Sequence, residues 1–229
     1  MYSYFYSFIP LVRRLVLLLA LAVAGYQDFI YREIEDKTWL YASVFLVPLT
    51  LLELAGNYAY LRLYLVSLLL GVLISLVSLR FKLAGEADAI AFTFISAFEL
   101  PHPTPLSLLP LGSVIILSLA PTIAYMCYNL YWNIKRGGSF LGYDAGPLIK
   151  AVAVVTMRYI SQEEYERRRH IFIPATRKKG DHLSIEISPA IPGNIEKPEL
   201  EEFWAVTLAP YVSFLAVGYL LYTLLHVIL

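Results

Sequence analysis

The chain has 229 residues, of which 59% are hydrophobic and 16% charged, with 18 basic and 18 acidic side chains and a mean hydropathy of +0.63. A soluble domain carries about 25% charged and about 45–50% apolar residues, so this is the composition of a membrane protein. Zero net charge argues against a nucleic-acid partner, and a single Cys127 excludes an intrachain disulfide and any multi-cysteine metal site.

Crossing roughly 30 Å of hydrocarbon takes about 17–25 apolar residues. Six segments are candidates. The first runs from Ile9 to Tyr26 and contains Arg13 and Arg14, the second from Trp39 to Ala55 with Pro48 and Glu53 inside, and the third, uninterrupted, from Leu63 to Leu79. The fourth, Ala87 to Leu100, has only ten residues between Asp88 and Glu99 and would fail a hydropathy threshold alone. The fifth, Pro105 to Trp132, has no charge, and the sixth runs from Phe203 to Leu225. Gly56-Asn57, the Pro101–Pro105 cluster and Gly137-Gly138 read as turns between them.

Arg13-Arg14 followed by Leu15–Ala24 has the look of a secretory signal peptide. Twelve largely apolar and aromatic residues before the pair and five spans after it argue for a retained span, with both arginines snorkelling to the outer interface. Cytoplasmic loops hold an excess of Lys and Arg. With the N-terminus outside, the inner side receives Arg32, Lys37, Arg80, Lys82 and the eleven cations from Lys135 to Lys197, while only Arg13, Arg14 and Arg62 stay outside. The expectation is an all-α polytopic membrane protein, multi-pass in the cell membrane with six transmembrane helices.

The polar region between spans five and six mixes ten acidic with eleven basic residues, so it reads as a solvated subdomain and not a lipid anchor. Ala145–Ile160 reads as a helix on or near the membrane. Ser161 and Glu164 have capping-box spacing. Ile171-Phe172-Ile173, a turn at Lys178–Asp181 and the alternation of His182–Ile187 read as a β-hairpin, with Pro189, Pro192 and Pro198 after it. Three domains follow: 1–132 with five helices, 133–202 as a small β-containing cytoplasmic subdomain, and 203–229 with the sixth helix.

The chemistry centres on two aspartates. Asp28 ends the first span in Gly25-Tyr26-Gln27-Asp28-Phe29, and Asp88 opens the fourth in Gly85-Glu86-Ala87-Asp88-Ala89. Three crossings separate them, so both fall at the cytoplasmic face. Two adjoining carboxylates share a proton, leaving one to draw a proton from water while the other polarises a carbonyl. Gly85, three residues before Asp88, removes a side chain where the chain could approach closely. An Asp at a helix end is also an ordinary cap or boundary residue, and two separate aspartates would equally suit a proton-coupled transporter or channel. Asp144 in Gly142–Gly146 reads as a turn or helix cap. Scattered histidines without HExxH make a zinc peptidase improbable, and Lys150 has no nucleophilic serine beside it.

Gln27-Asp28-Phe29, the following Arg32-Glu33-Ile34-Glu35-Asp36, and the Gly85–Asp88 motif together resemble the archaeal preflagellin and type IV prepilin peptidases, membrane aspartyl proteases of the GxGD type. The likeness covers nearly the whole chain in span order. It implies an aspartic-type endopeptidase with Asp28 and Asp88 as catalytic pair and Gly85 as motif glycine. Ala87 stands where the strict motif has glycine, a position at which some members accept a small residue. The implied substrate is a prepilin or prearchaellin precursor, cut at the cytoplasmic membrane face beside the lipid bilayer, with no cofactor and no metal. Glu33, Glu35, Asp36 and Glu86 read either as an attraction for a basic leader or, as exposed charges more often are, as solvated loop residues.

Overall fold

The computed structural model describes residues 2–56, 60–81, 83–179, 182–185 and 200–228. Asn57, the turn tip at Gly180-Asp181, and Glu186-Ile187 with the three prolines after them lie outside the described residues. The chain divides into two compact units, one of Met1–Thr122 with Pro210–Leu229 and one of Ile123–Ala209.

The first unit holds α1 (Tyr2–Tyr31), α2 (Asp36–Gly56), α3 (Leu61–Arg80), α4 (Glu86–Phe98), the first half of α5 (Pro110–Lys135) and α8 (Tyr211–Ile228). Four of these helices are long and apolar enough to cross a membrane: Phe8–Tyr31 of α1, then α2, α3 and α5. At 13 residues α4 spans only about 20 Å. It compensates by burial, since Ala91, Phe92, Phe94, Ile95 and Phe98 lie in a core shared with Leu17 and Leu21 of α1, Trp39 and Leu46 of α2, and Leu215 and Tyr219 of α8.

Small residues set the helix approaches. The buried residues of α3 are Ser67, Gly71 and Ser75, four apart on one stripe, while most of its leucines stay exposed. This is how helices meet in lipid, where apolar side chains gain nothing by facing inward and small ones allow close contact. Ser75 Oγ donates to Ala89 O at 2.9 Å, and Tyr64 Oη to Ala97 O at 3.1 Å, so α3 and α4 run antiparallel. On α1, a Cβ at Gly25 would stand 3.0 Å from Ser213 Cα, which is how closely α8 passes there.

Arg13 and Arg14 do not snorkel. Arg13 is 0% exposed, its Nε 2.8 Å from Glu53 Oε2 and its Nη1 3.1 Å from Glu99 Oε2, and Arg14 Nε lies 3.1 Å from Glu99 Oε1. Two carboxylates at the same depth draw the guanidinium groups inward, which costs less than leaving any of these charges unpaired in an apolar setting.

The second unit continues α5 and adds α6 (Pro147–Thr156), α7 (Gln162–Arg167) and two three-stranded sheets. One has the order β1 (Tyr143–Asp144), β5 (His182–Ile185), β4 (Thr176–Lys179), and the other β2 (Met157–Ser161), β6 (Glu202–Thr207), β3 (Phe172–Pro174). Three expectations change here. The helix expected to Ile160 stops at Thr156, and Met157–Ser161 pairs antiparallel with β6. The hairpin partner of His182–Ile185 is Thr176–Lys179, while Phe172–Pro174 pairs with β6. The apolar run from Phe203 is a strand to Thr207, burying Phe203, Trp204 and Ala205, and helix α8 begins only at Tyr211 after Pro210. Ser161 caps α7 as its spacing predicts, its Oγ accepting from Glu164 N at 3.3 Å.

Candidate active site

Asp28 sits in the last turn of α1 and is 9% exposed. Gly25, one turn earlier, lets α8 pass close, and Ser213 Oγ donates to Gly25 O at 2.6 Å. This places the Asp28 carboxylate at the start of α8, where Oδ2 accepts from Val212 N at 3.0 Å and Ser213 N at 3.4 Å. The first N–H groups of a helix have no partner within it and carry the positive end of its dipole. Ala209-Pro210 offers no capping side chain, so Asp28 supplies one from another helix. Arg32 follows within electrostatic reach of Asp28, in a left-handed conformation at φ 59° that ends α1, its N–H donating to Asp28 O at 3.2 Å.

Asp88 is the third residue of α4, half-buried, and its Oδ2 accepts from Gly85 N at 2.9 Å. That is one half of a capping box, closed by the aspartate alone because glycine has no side chain to return the bond. Gly85 itself has φ −75°, open to any residue, and a Cβ there would meet only Asp88 Oδ2 at 3.6 Å. The close approach expected at this glycine is therefore not made by another part of the described chain.

The helix directions bring the two aspartates together at one end. Residues near Asp28 meet the start of α8, while Glu99, just past the other end of α4, meets Arg13 on α1 and Tyr219 on α8. Thus α4 and α8 both run antiparallel to α1, and Asp88 stands at the Asp28 end. The two carboxylates are close enough for the charge of Asp28 to act on Asp88.

Glu33 and Glu35 lie exposed in the loop after α1, Asp36 is exposed at the start of α2, and Glu86 is exposed in the first turn of α4. Gln27 braces this loop, its Oε1 accepting from Glu35 N at 3.3 Å and Thr38 Oγ1 at 3.0 Å. The bracing role of Gln27 and the donors Val212 and Ser213 do not emerge from the sequence alone. The signal for the latter was present as a helix start, Pro210-Tyr211-Val212-Ser213, without a cap of its own. Among the described residues no three His, Cys, Asp or Glu side chains gather as a metal would need.

Residues 15–121 match the model of the type IV leader peptidase family. That stretch contains Asp28, Gly85 and Asp88 but not α8. Among curated proteins, none matches the chain significantly.

Proposed function

We propose that this chain, whose residues 15–121 match the model of the type IV leader peptidase family, is an aspartic-type endopeptidase of that family with Asp28 and Asp88 as its catalytic pair. The observation that carries the reading is the antiparallel packing that brings both carboxylates to one end of α1 and α4 within electrostatic reach. The substrates are prepilin-type precursors, of which prearchaellins are the finer assignment, and the leader is removed at the cytoplasmic face of the membrane.

In this reading α4 and α8 join the four longer helices to make six spans, and residues 133–202 with their eleven cations lie on the cytoplasmic side. Asp28, accepting two backbone N–H bonds at a helix N-terminus, is the partner suited to remain ionised. It takes a proton from the attacking water. Asp88 carries the shared proton and donates it to the scissile carbonyl oxygen, so that oxygen does not bear a full charge in the tetrahedral intermediate. Collapse returns a proton to the leaving amine and restores the pair. Gly85 leaves open space beside Asp88 for a substrate backbone, and Glu33, Glu35, Asp36 and Glu86 form an exposed acidic approach for a basic leader.

The test is cleavage of a prepilin precursor by membranes containing Asp28→Asn or Asp88→Asn. Each variant should lose roughly 10²–10⁴-fold of the cleavage rate, the usual contribution of a general acid or base. Undiminished cleavage by either variant would sink the assignment and leave separate proton-relay sites in a transporter as the surviving reading.

A further inference from the structure

At the end of the helices away from Asp28 lies a second buried polar cluster, outside the chemistry just described. Glu99, 0% exposed, accepts from Tyr219 Oη at 2.7 Å and Tyr222 Oη at 3.4 Å of α8, and pairs with Arg13 and Arg14 of α1. Arg13 also donates to the carbonyl of Phe98, the last residue of α4, and pairs with Glu53 of α2. One guanidinium thus reads the backbone end of α4, the side chain after it, and a neighbouring helix.

Stability does not account for such a cluster. Replacing a buried ion pair with well-packed apolar residues is often neutral or favourable, and an intramembrane charge is expensive. What directional ion pairs supply, and apolar packing does not, is a defined register. The register matters because α8 touches both clusters: its first N–H groups hold Asp28, and its tyrosines hold Glu99. α4 likewise has Asp88 at one end and Glu99 at the other, about 16 Å apart. The described hydrogen bonds from α4 and its C-cap to α1 and α8 converge on Phe98 and Glu99. Towards the Asp88 end, Ser75 ties α4 to α3 instead.

We propose that Glu99, held by Arg13, is a positioning residue: it fixes the α3–α4 pair against the α1–α8 pair and so sets the separation of Asp28 and Asp88. The inference rests on these two aspartates being the catalytic pair. A tilt of about 4° at Glu99 moves Asp88 by about 1 Å over that lever, and a misplacement of that size costs about a hundredfold in rate.

The test uses the full chain in a Cys127→Ser background, with spin labels on Tyr26→Cys and Ile90→Cys, both exposed and near the two aspartates. Glu99→Gln keeps the side chain's shape and one acceptor oxygen, enough for one of the two tyrosines, but removes the charge. It should lower kcat about a hundredfold with KM little changed, and should shift or broaden the 26–90 distance distribution. Should Glu99→Gln not accumulate folded, Arg13→Gln/Glu99→Gln, which removes one charge of each sign, is read the same way. Unchanged kcat, or a lower kcat with an unchanged label distance, overturns the proposal; Glu99→Asp, with the same charge, should recover part of the rate. The distance reports register whatever the chemistry, so failure of the catalytic assignment, seen in the two aspartate variants, is told apart from failure of this inference.

Discussion

Gly218→Ala sets two effects of opposite sign against each other. Alanine is favoured over glycine in a helix interior by about 1 kcal/mol. Against this, a Cβ on residue 218 would stand 2.7 Å from Val114 O, 2.9 Å from Ser118 N and 3.1 Å from Ser118 Cα. All three atoms are α5 backbone, so no side chain can rotate away, and α5 and α8 must part by roughly 0.5–0.8 Å to regain ordinary contact. Overpacking of this kind costs about 1–3 kcal/mol. The net expectation is a loss of about 1 kcal/mol, which lowers Tm by about 2–4 °C in a chain of this size. Gly112→Ala is the control, because Leu109 Cβ at 3.8 Å is the nearest atom and nothing overlaps, so it should gain about 0.5 kcal/mol. Gly71→Ala should fall furthest, its Cβ overlapping both Oγ and Cβ of Ser96, and Gly71→Ala/Ser96→Gly should recover most of the loss. Tryptophan fluorescence during thermal unfolding in detergent measures all four. A Tm for Gly218→Ala at or above that of Gly112→Ala would refute the packing argument.

Asp28→Ala should destabilise the protein by about 1–2 kcal/mol more than Asp28→Asn, since asparagine keeps an acceptor for the α8 N–H groups; equal melting curves would count against the cap. Asn133, buried, donates to Val154 O and Met157 O at 2.8 Å each and accepts from Tyr159 N at 2.9 Å, so Asn133→Ala should cost about 3 kcal/mol, read in the same melts, by stranding three backbone groups. Burial first, and then the charge of Arg14, hold His102 below its ordinary value of 6.5, although Glu99 and Glu53 pull the other way. Its neutral form is therefore the one the fold favours; the corresponding stability is full above about pH 6.5 and declines below it as the unfolded chain takes up the proton. His102→Gln should flatten that acid decline below about pH 6.5, and an unchanged slope would refute it. Cleavage of a precursor should continue in EDTA, and a loss restored by zinc would point to a metalloprotease.

What the sequence made legible were features carried by local patterns. Of the six spans expected, four are helices long and apolar enough to cross a membrane, and the Gly85–Asp88 motif and Asp28 stood out at run ends. Features created by distant pairing stayed hidden. Arg13 looked like an interfacial residue because its partners lie 40 and 86 residues away. Phe203–Leu225 read as one helix because an unbroken apolar run has no period to separate a buried strand from a helix, although Pro210 marked the join. The hairpin took the wrong partner because Phe172–Pro174 and Thr176–Lys179 are adjacent strands of different sheets, and only tertiary pairing with β6 distinguishes them. The cap on α8 required knowing which helix ends meet.

That cap orders events in time. Asp28 and Asp88 both belong to the first hundred residues, yet the donors that hold Asp28 are residues 212 and 213. A chain emerging from the ribosome therefore displays both aspartates in the bilayer long before either donor exists. Until α8 inserts, Asp28 lacks the two backbone donors that hold its carboxylate. On the proposed function, insertion of α8 is the step that completes the site, because it supplies the donors that hold Asp28.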